Sequence, residues 1–236
     1  MDAVFECSGV FLKKEQMEKH LQAGAAHVVL SAPPKSEGVP MVVHGANDPE
    51  EFPPLVSCAS CTTNCITPVM EILNRRIGVE KATMTTIHAY TSSQSVVDTP
   101  ASKHRRGRAA AMNFVPTSTG AAEATAKCLP AFEGKFSGIA IRGPVICGSV
   151  ADIVCVTGRE TSAEEVNGIF REEARGERYM DKWWYCARLD EFFFRALRAR
   201  RNQRISSGSA LIALLKTRLM NLSWPRSVCS SSGRSG

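Results

Sequence analysis

Short apolar runs divided by one charged amphipathic segment open the chain. Val4-Phe5-Glu6-Cys7 reads as a strand ending at Ser8-Gly9. Lys13 to Leu21 mixes charged and apolar positions at helical spacing, and Gly24 is a natural stop just beyond it. His27 to Ser31 is a buried-type strand ending at the Pro33-Pro34 breaker, and Met41 to His44 reads as another strand. A strand–helix–strand order of this kind predicts part of a parallel α/β sheet.

The middle of the chain changes period. Apolar positions Ile66, Val69, Met70 and Leu73 predict a helix from Thr62 to about Arg75. Pro68 fits that helix only if it falls in or near the first turns. Ala82 to Tyr90 reads as a strand. Ser92 to Pro116 is a long basic loop, and loops of that length in compact domains are functional or interface elements. Thr119 to Leu129 is Ala-rich and helical. Phe136 to Arg142 and Ser149 to Thr157 read as strands, and Ser162-Ala163-Glu164-Glu165 is a capping box opening a helix to about Ala174.

After about Glu177 neither period holds. Trp183-Trp184-Tyr185 and Phe192-Phe193-Phe194 are aromatic clusters without a repeat, and the chain ends in a low-complexity run from Ser230 to Gly236, so poor order is expected there.

Composition narrows the class. With 236 residues and 44% hydrophobic residues, the chain can bury one good core or two small ones. No apolar run approaches the ~20 residues that span a bilayer, and the N-terminus has no signal-peptide pattern. A soluble, cytoplasmic protein is expected. Nine cysteines, odd in number and irregular in spacing, argue against a disulfide framework. The net charge of +6 lies mostly in the last quarter, where Asp190 and Glu191 are the only acids after Cys186.

Ser57-Cys58-Ala59-Ser60-Cys61-Thr62-Thr63-Asn64-Cys65 carries the candidate chemistry, between a strand-like region and a helix. A cysteine at a helix N-terminus faces unpaired N–H groups and the positive end of the dipole, which favour thiolate over thiol. The alternative is a buried small hydrophobe. The Cys58, Cys61, Cys65 spacing lacks a fourth ligand, so no metal is expected. His88, at the end of Thr85-Thr86-Ile87-His88, is either a satisfied core histidine or the base that a thiol nucleophile needs.

Several segments together resemble one family. Ser60-Cys61-Thr62-Thr63-Asn64-Cys65 matches the active-site signature of glyceraldehyde-3-phosphate dehydrogenases. Thr85 to Thr91 resembles that family's catalytic-histidine strand. Arg105-Arg106-Gly107-Arg108-Ala109-Ala110 resembles its subunit-contacting loop, and Pro116 to Ala122 its phosphate-binding turn. Cys7-Ser8-Gly9 and Ser31-Ala32-Pro33 resemble cofactor-side segments. The resemblance runs from residue 1 to about 175. It implies an α/β fold, with a truncated Rossmann-type nucleotide-binding domain (1–57), an α+β catalytic domain (58–175) and an atypical basic tail (176–236). It implies a glycolytic oxidoreductase in which Cys61 attacks the aldehyde of glyceraldehyde 3-phosphate. His88 takes the thiol proton, NAD or NADP accepts the hydride, and inorganic phosphate cleaves the thioester. Thr91 and Arg142 would bind the substrate phosphate. Ser60, Thr62, Thr119 and Gly120 would bind the attacking phosphate, and Ser8, Gly9 and Ser31 would face the cofactor. Cys65 would be structural. The family forms homotetramers.

The chain departs from the pattern in three places. It has no G-x-G-x-x-G fingerprint, so the adenine and pyrophosphate half of the cofactor site is expected to be missing. Gly143-Pro144-Val145-Ile146-Cys147-Gly148 replaces a Val-Pro-Thr-Pro-like run. The closing segment of the family's sheet is not recognisable, and the Arg-, Ser- and Leu-rich tail has the composition of an out-of-frame translation. Two other readings stand beside the enzyme. One is a non-catalytic remnant. The other is a tail that binds nucleic acid through Arg198, Arg200, Arg201 and Arg204, although no nucleic-acid motif accompanies them.

Overall fold

A computed structural model describes residues 1–179 and 210–217. The first unit is a three-stranded parallel sheet in the order β1-β2-β3. It comprises β1 (Ala3–Glu6), β2 (His27–Leu30) and β3 (Leu55–Ser57), with helix α1 (Lys14–Gln22) between β1 and β2. Val28, Leu30 and Leu55 pack with Met17 of α1 and with Val39. The strand expected over Met41 to His44 does not form. Met41 makes an isolated bridge to Ser57. The Asn47 side chain takes the Val43 N–H at 2.8 Å and donates to Met41 O at 2.9 Å, so this backbone turns instead of continuing as a ladder.

The second unit is a mixed five-stranded sheet in the order β5-β6-β4-β7-β8. Its strands are β4 (Val79–Ala89), β5 (Val115–Ser118), β6 (Phe136–Gly143), β7 (Ser149–Thr157) and β8 (Ala210–Thr217). β4 and β6 run parallel, while β5, β7 and β8 join antiparallel. β8 lies within the segment expected to be poorly ordered. The nucleic-acid reading of Arg198 to Arg204, the aromatic clusters and the low-complexity end lie outside the described residues. Tyr179, beyond the boundary expected near residue 175, is fully buried.

Helices α2 (Cys61–Arg76), α3 (Ala121–Cys128) and α4 (Ala163–Glu173) complete the second unit. Ile66, Val69, Met70 and Leu73 of α2 form its core with Met84, Phe136 and Ile153 of the sheet and Phe170 of α4. Each such side chain removed from water contributes roughly 1.5–3 kcal/mol. Pro68 sits well inside α2, not in its first turns. It deprives the Asn64 carbonyl of its helical donor, but Asn64 is exposed, so water can replace that bond.

Strand alternation decides the placement of the chemistry. In β4, Ala82, Met84, Thr86 and His88 are buried, while Thr83 and Ile87 are exposed. Because side chains in a strand alternate at period two, His88 shares the face of Met84, which packs with α2. Cys61 is the first residue of that same helix.

Candidate active site

The turn before α2 is held by side chains. Ser57 Oγ donates to Ala32 O at 2.7 Å and accepts the Ala59 N–H at 2.9 Å. Asn64 Nδ2 donates to Ser60 O at 2.9 Å and also bonds Cys58 O. Between these ties Ala59 adopts φ 58°, a left-handed conformation that costs a non-glycine residue about 1–3 kcal/mol. Ser60 is then extended and caps the helix, its Oγ accepting the Thr63 N–H at 3.1 Å. The turn therefore delivers Cys61 at the first helical position, where the unpaired N–H groups converge.

Cys61 Sγ lies 3.7 Å from His88 Nε2 and 4.0 Å from Thr62 Oγ1. The His88 hydrogen bond holds the thiol below its ordinary pKa against the opposing effect of burial. The same contact raises His88, again against burial. Each partner thus favours the other's charged form, which is the condition for a thiolate–imidazolium pair. Burial pushes other thiols the opposite way: Cys58 is raised, Cys128 rises to about 11 and Cys155 to about 12.

Arg142 and His88 are register partners on β6 and β4. Arg142 Nη1 donates to Ala89 O at 3.1 Å and lies 2.6 Å from His88 Nδ1, which is itself 2.8 Å from Ala89 O. Burial lowers the Arg142 pKa first, and the nearby Arg106 cation lowers it further. Arg106 Nε in turn donates to Thr117 Oγ1 at 3.1 Å. Two guanidinium groups close enough to disfavour one another make an anion-attracting wall beside the thiol. The sequence reading put Arg106 in a contact loop. The Arg105-Arg106 repeat gave no sign of which arginine turns inward, and burial decides it: Arg105 is exposed and Arg106 is half-buried.

Thr91 follows β4 by two residues, and its Oγ1 lies 2.8 Å from Ser93 Oγ. Thr119 Oγ1 accepts the Ala121 N–H at 3.2 Å, and Gly120 caps α3. No hydrogen bond among the described residues links Thr119 or Gly120 to Cys61, His88 or Arg142. Helix α3 does pack on α2, through Thr67 Oγ1 and Thr125 Oγ1 at 3.2 Å. Cys65 is half-buried one turn into α2.

Ser8, Gly9 and Ser31 gather at the carboxyl edge of the parallel sheet. They are joined by Glu6, which sequence reasoning did not single out. The Glu6 carboxylate accepts the Ser8 N–H at 2.7 Å, the Ser8 hydroxyl, and His20 Nε2 at 2.9 Å. Ser31 donates to Glu6 O from its N–H at 3.0 Å and from its Oγ at 3.1 Å. Gly9 takes φ 73°, which glycine adopts without strain. Among the described residues no group of three or more His, Cys, Asp or Glu side chains converges as a metal site would, and no helix is long and apolar enough to cross a membrane.

Comparison with known proteins agrees with the geometry. Residues 60–188 match the family described as glyceraldehyde 3-phosphate dehydrogenase, C-terminal domain. The chain is 46% identical over 180 residues to glyceraldehyde-3-phosphate dehydrogenase 2 of Streptomyces avermitilis, covering 75% of this chain and 53% of that protein. It is 47% identical over 179 residues to the chloroplastic A form of Chlamydomonas reinhardtii, covering 75% and 48%. It is likewise 47% identical over 179 residues to the enzyme of Haloarcula vallismortis, covering 75% and 53%. The chain spans about half the length of the curated relatives it matches.

Proposed function

The chain belongs to the glyceraldehyde-3-phosphate dehydrogenase family, and on that premise we propose that Cys61 and His88 are the nucleophile and base of a phosphorylating aldehyde dehydrogenase. The observation that carries the proposal is the 3.7 Å contact between Cys61 Sγ and His88 Nε2 at the start of α2. The mechanism takes the neutral ring in the tautomer whose proton is on Nδ1, 2.8 Å from Ala89 O, which leaves Nε2 to accept the thiol proton. The thiolate attacks the aldehyde carbon of glyceraldehyde 3-phosphate, forming a C–S bond, and His88 returns its proton to the new alkoxide. His88 then removes that proton as the hemithioacetal is oxidised to a thioester. Inorganic phosphate attacks the thioester carbonyl, the C–S bond breaks, and 1,3-bisphosphoglycerate leaves with the thiolate restored.

The family resemblance implies two anion sites. Thr91 and Arg142 suit the substrate phosphate, and Ser60, Thr62, Thr119 and Gly120 suit the attacking phosphate, with Arg106 adding charge beside Arg142. NAD or NADP supplies the hydride acceptor when bound. Ser8, Gly9 and Ser31 fit its nicotinamide side, because ligands of parallel α/β sheets bind at the carboxyl ends of strands. Residues 1–57 are assigned as part of a Rossmann-type domain, 58–175 as the catalytic domain and 176–236 as an atypical tail. The half-exposed Ile87 and Ile139 on the open face of the sheet, together with the 92–116 loop, support a homotetramer. Free thiols at Cys7, Cys58, Cys61, Cys128, Cys147 and Cys155 support a reducing, cytoplasmic location.

A chromogenic activated ester, p-nitrophenyl acetate, tests the thiol chemistry without a dinucleotide. The expected result is a burst of p-nitrophenolate with one acetyl group on Cys61. His88→Asn should slow acylation at neutral pH on the order of tenfold or more. Acetylation of another cysteine in preference to Cys61, or none, contradicts the assignment.

A further inference from the structure

Gln94 is only 7% exposed, yet it uses half of its carboxamide. Its Oε1 accepts the Thr91 N–H at 3.2 Å, and its own N–H donates to Thr91 O at 2.9 Å, closing a tight turn. Its Nε2 is buried without a hydrogen-bond partner among the described residues. The next residue carries the other side of the site. The Ser95 N–H donates to Arg106 O at 3.0 Å, and Ser95 O accepts the Ala110 N–H at 3.0 Å. Gln94-Ser95 therefore joins the Thr91 turn to the loop segment from which Arg106 reaches Thr117.

A buried donor with no acceptor opposes folding, and a methionine would fill similar space without that cost. Positions where a side chain breaks such a local rule are candidates for function. We propose that Gln94 is a positioning residue for the anion site, fixing the Thr91 turn against the Arg106 loop at the separation a phosphate monoester requires. The proposal rests on the reading of Thr91 and Arg142 as phosphate-binding residues. Gln94 acts through Thr91 and need not touch the ligand, consistent with its burial.

The test uses the full 236-residue chain and sn-glycerol 3-phosphate, a monoester without an aldehyde. The readout is protection of Cys61 from iodoacetamide, normalised to each variant's own unprotected rate. Gln94→Met should raise the half-protecting concentration about fivefold or more, with a thermal midpoint equal to or above that of the unsubstituted chain. Thr91→Val should weaken protection too, and Gln94→Met should add nothing further on top of it. Unchanged protection in Gln94→Met, or losses that add in the double variant, overturns this inference alone. No protection in the unsubstituted chain overturns the phosphate reading and this inference with it. Should Gln94→Met fail to fold, amide exchange in the unsubstituted chain decides. Thr91 should exchange more slowly than Ser92 and Ser93, and more slowly again with the monoester. Equal exchange of the three amides overturns the inference.

Discussion

Arg142 Nη1 lies 2.6 Å from His88 Nδ1, on the ring edge away from the thiol. Two residues thus pull His88 in opposite directions. The Cys61 contact raises its pKa most strongly, while the Arg142 cation lowers it. The guanidinium also interacts favourably with the Cys61 thiolate, which raises the Arg142 pKa in return. Arg142 therefore favours the thiolate while limiting how firmly His88 keeps the proton, so that the proton remains transferable.

Arg142→Gln tests that balance. Removing the cation should raise the pKa of His88 and also that of Cys61. The midpoint of iodoacetamide reactivity against pH should move upward, with alkylation at neutral pH slower by roughly two- to fivefold. A midpoint that falls or stays put shows that Arg142 does not act on the thiol through charge.

Tyr179 supplies a stability prediction. Its hydroxyl donates to Glu71 Oε2 at 2.6 Å, and Glu71 Oε1 also receives Arg75 Nε at 2.8 Å and Arg178 Nη1 at 3.3 Å. Arg178 Nε bonds Gly45 O, and a Cβ on Gly45 would lie 2.8 Å from Arg178 O and 2.9 Å from the Tyr179 ring. These contacts fasten the turn around Gly45 to helix α2. Tyr179→Phe removes a donor from a buried carboxylate and should cost about 1–3 kcal/mol in urea unfolding. A loss below a few tenths of a kcal/mol would show that Arg75 and Arg178 satisfy Glu71 unaided.

Glu6 supplies a pH prediction. Hydrogen bonds from Ser8, opposed by burial and aided by His20, hold its carboxyl below the ordinary glutamate value. A lowered carboxylate pKa means that the unfolded chain binds the proton more readily. The stabilisation is therefore full above the ordinary glutamate range and is lost as the pH falls through that range towards the folded value. The stability gap between the unsubstituted chain and Glu6→Gln should be largest near neutrality and shrink below about pH 4. A gap that widens on acidification refutes the assignment.

Much of this site was legible along the chain. The helix over α2 follows from its 3–4 apolar period; its expected start is Thr62, it begins at Cys61, and the Ser60 cap is seen only in the structure. His88 at the end of a strand was legible as either a core histidine or a base, and the strand's burial pattern puts it on the face of Met84. The misses have local causes. Met41 to His44 is apolar enough for a strand, but the Asn47 side chain takes the backbone groups a strand would use. Pro68 argues for a first turn, but exposure of Asn64 makes an interior position tolerable. Glu6 read as a strand residue because its three donors come from Ser8 and from His20 on α1.

The sequence by itself determined which side chains could carry the chemistry. A cysteine at a helix start, hydroxyls beside it, a histidine closing a strand and an arginine closing another are properties of short segments. Only the tertiary structure decided that these segments meet. The parallel pairing of β4 with β6 sets Arg142 beside His88, and the packing of α2 across that sheet sets Cys61 on the other side of the ring. The left-handed turn at Ala59, which no glycine announces, aims the helix at that point. Thiolate chemistry needs charges within a few ångströms of each other, and such distances are set by packing between segments remote in sequence, not by the residues within any one of them.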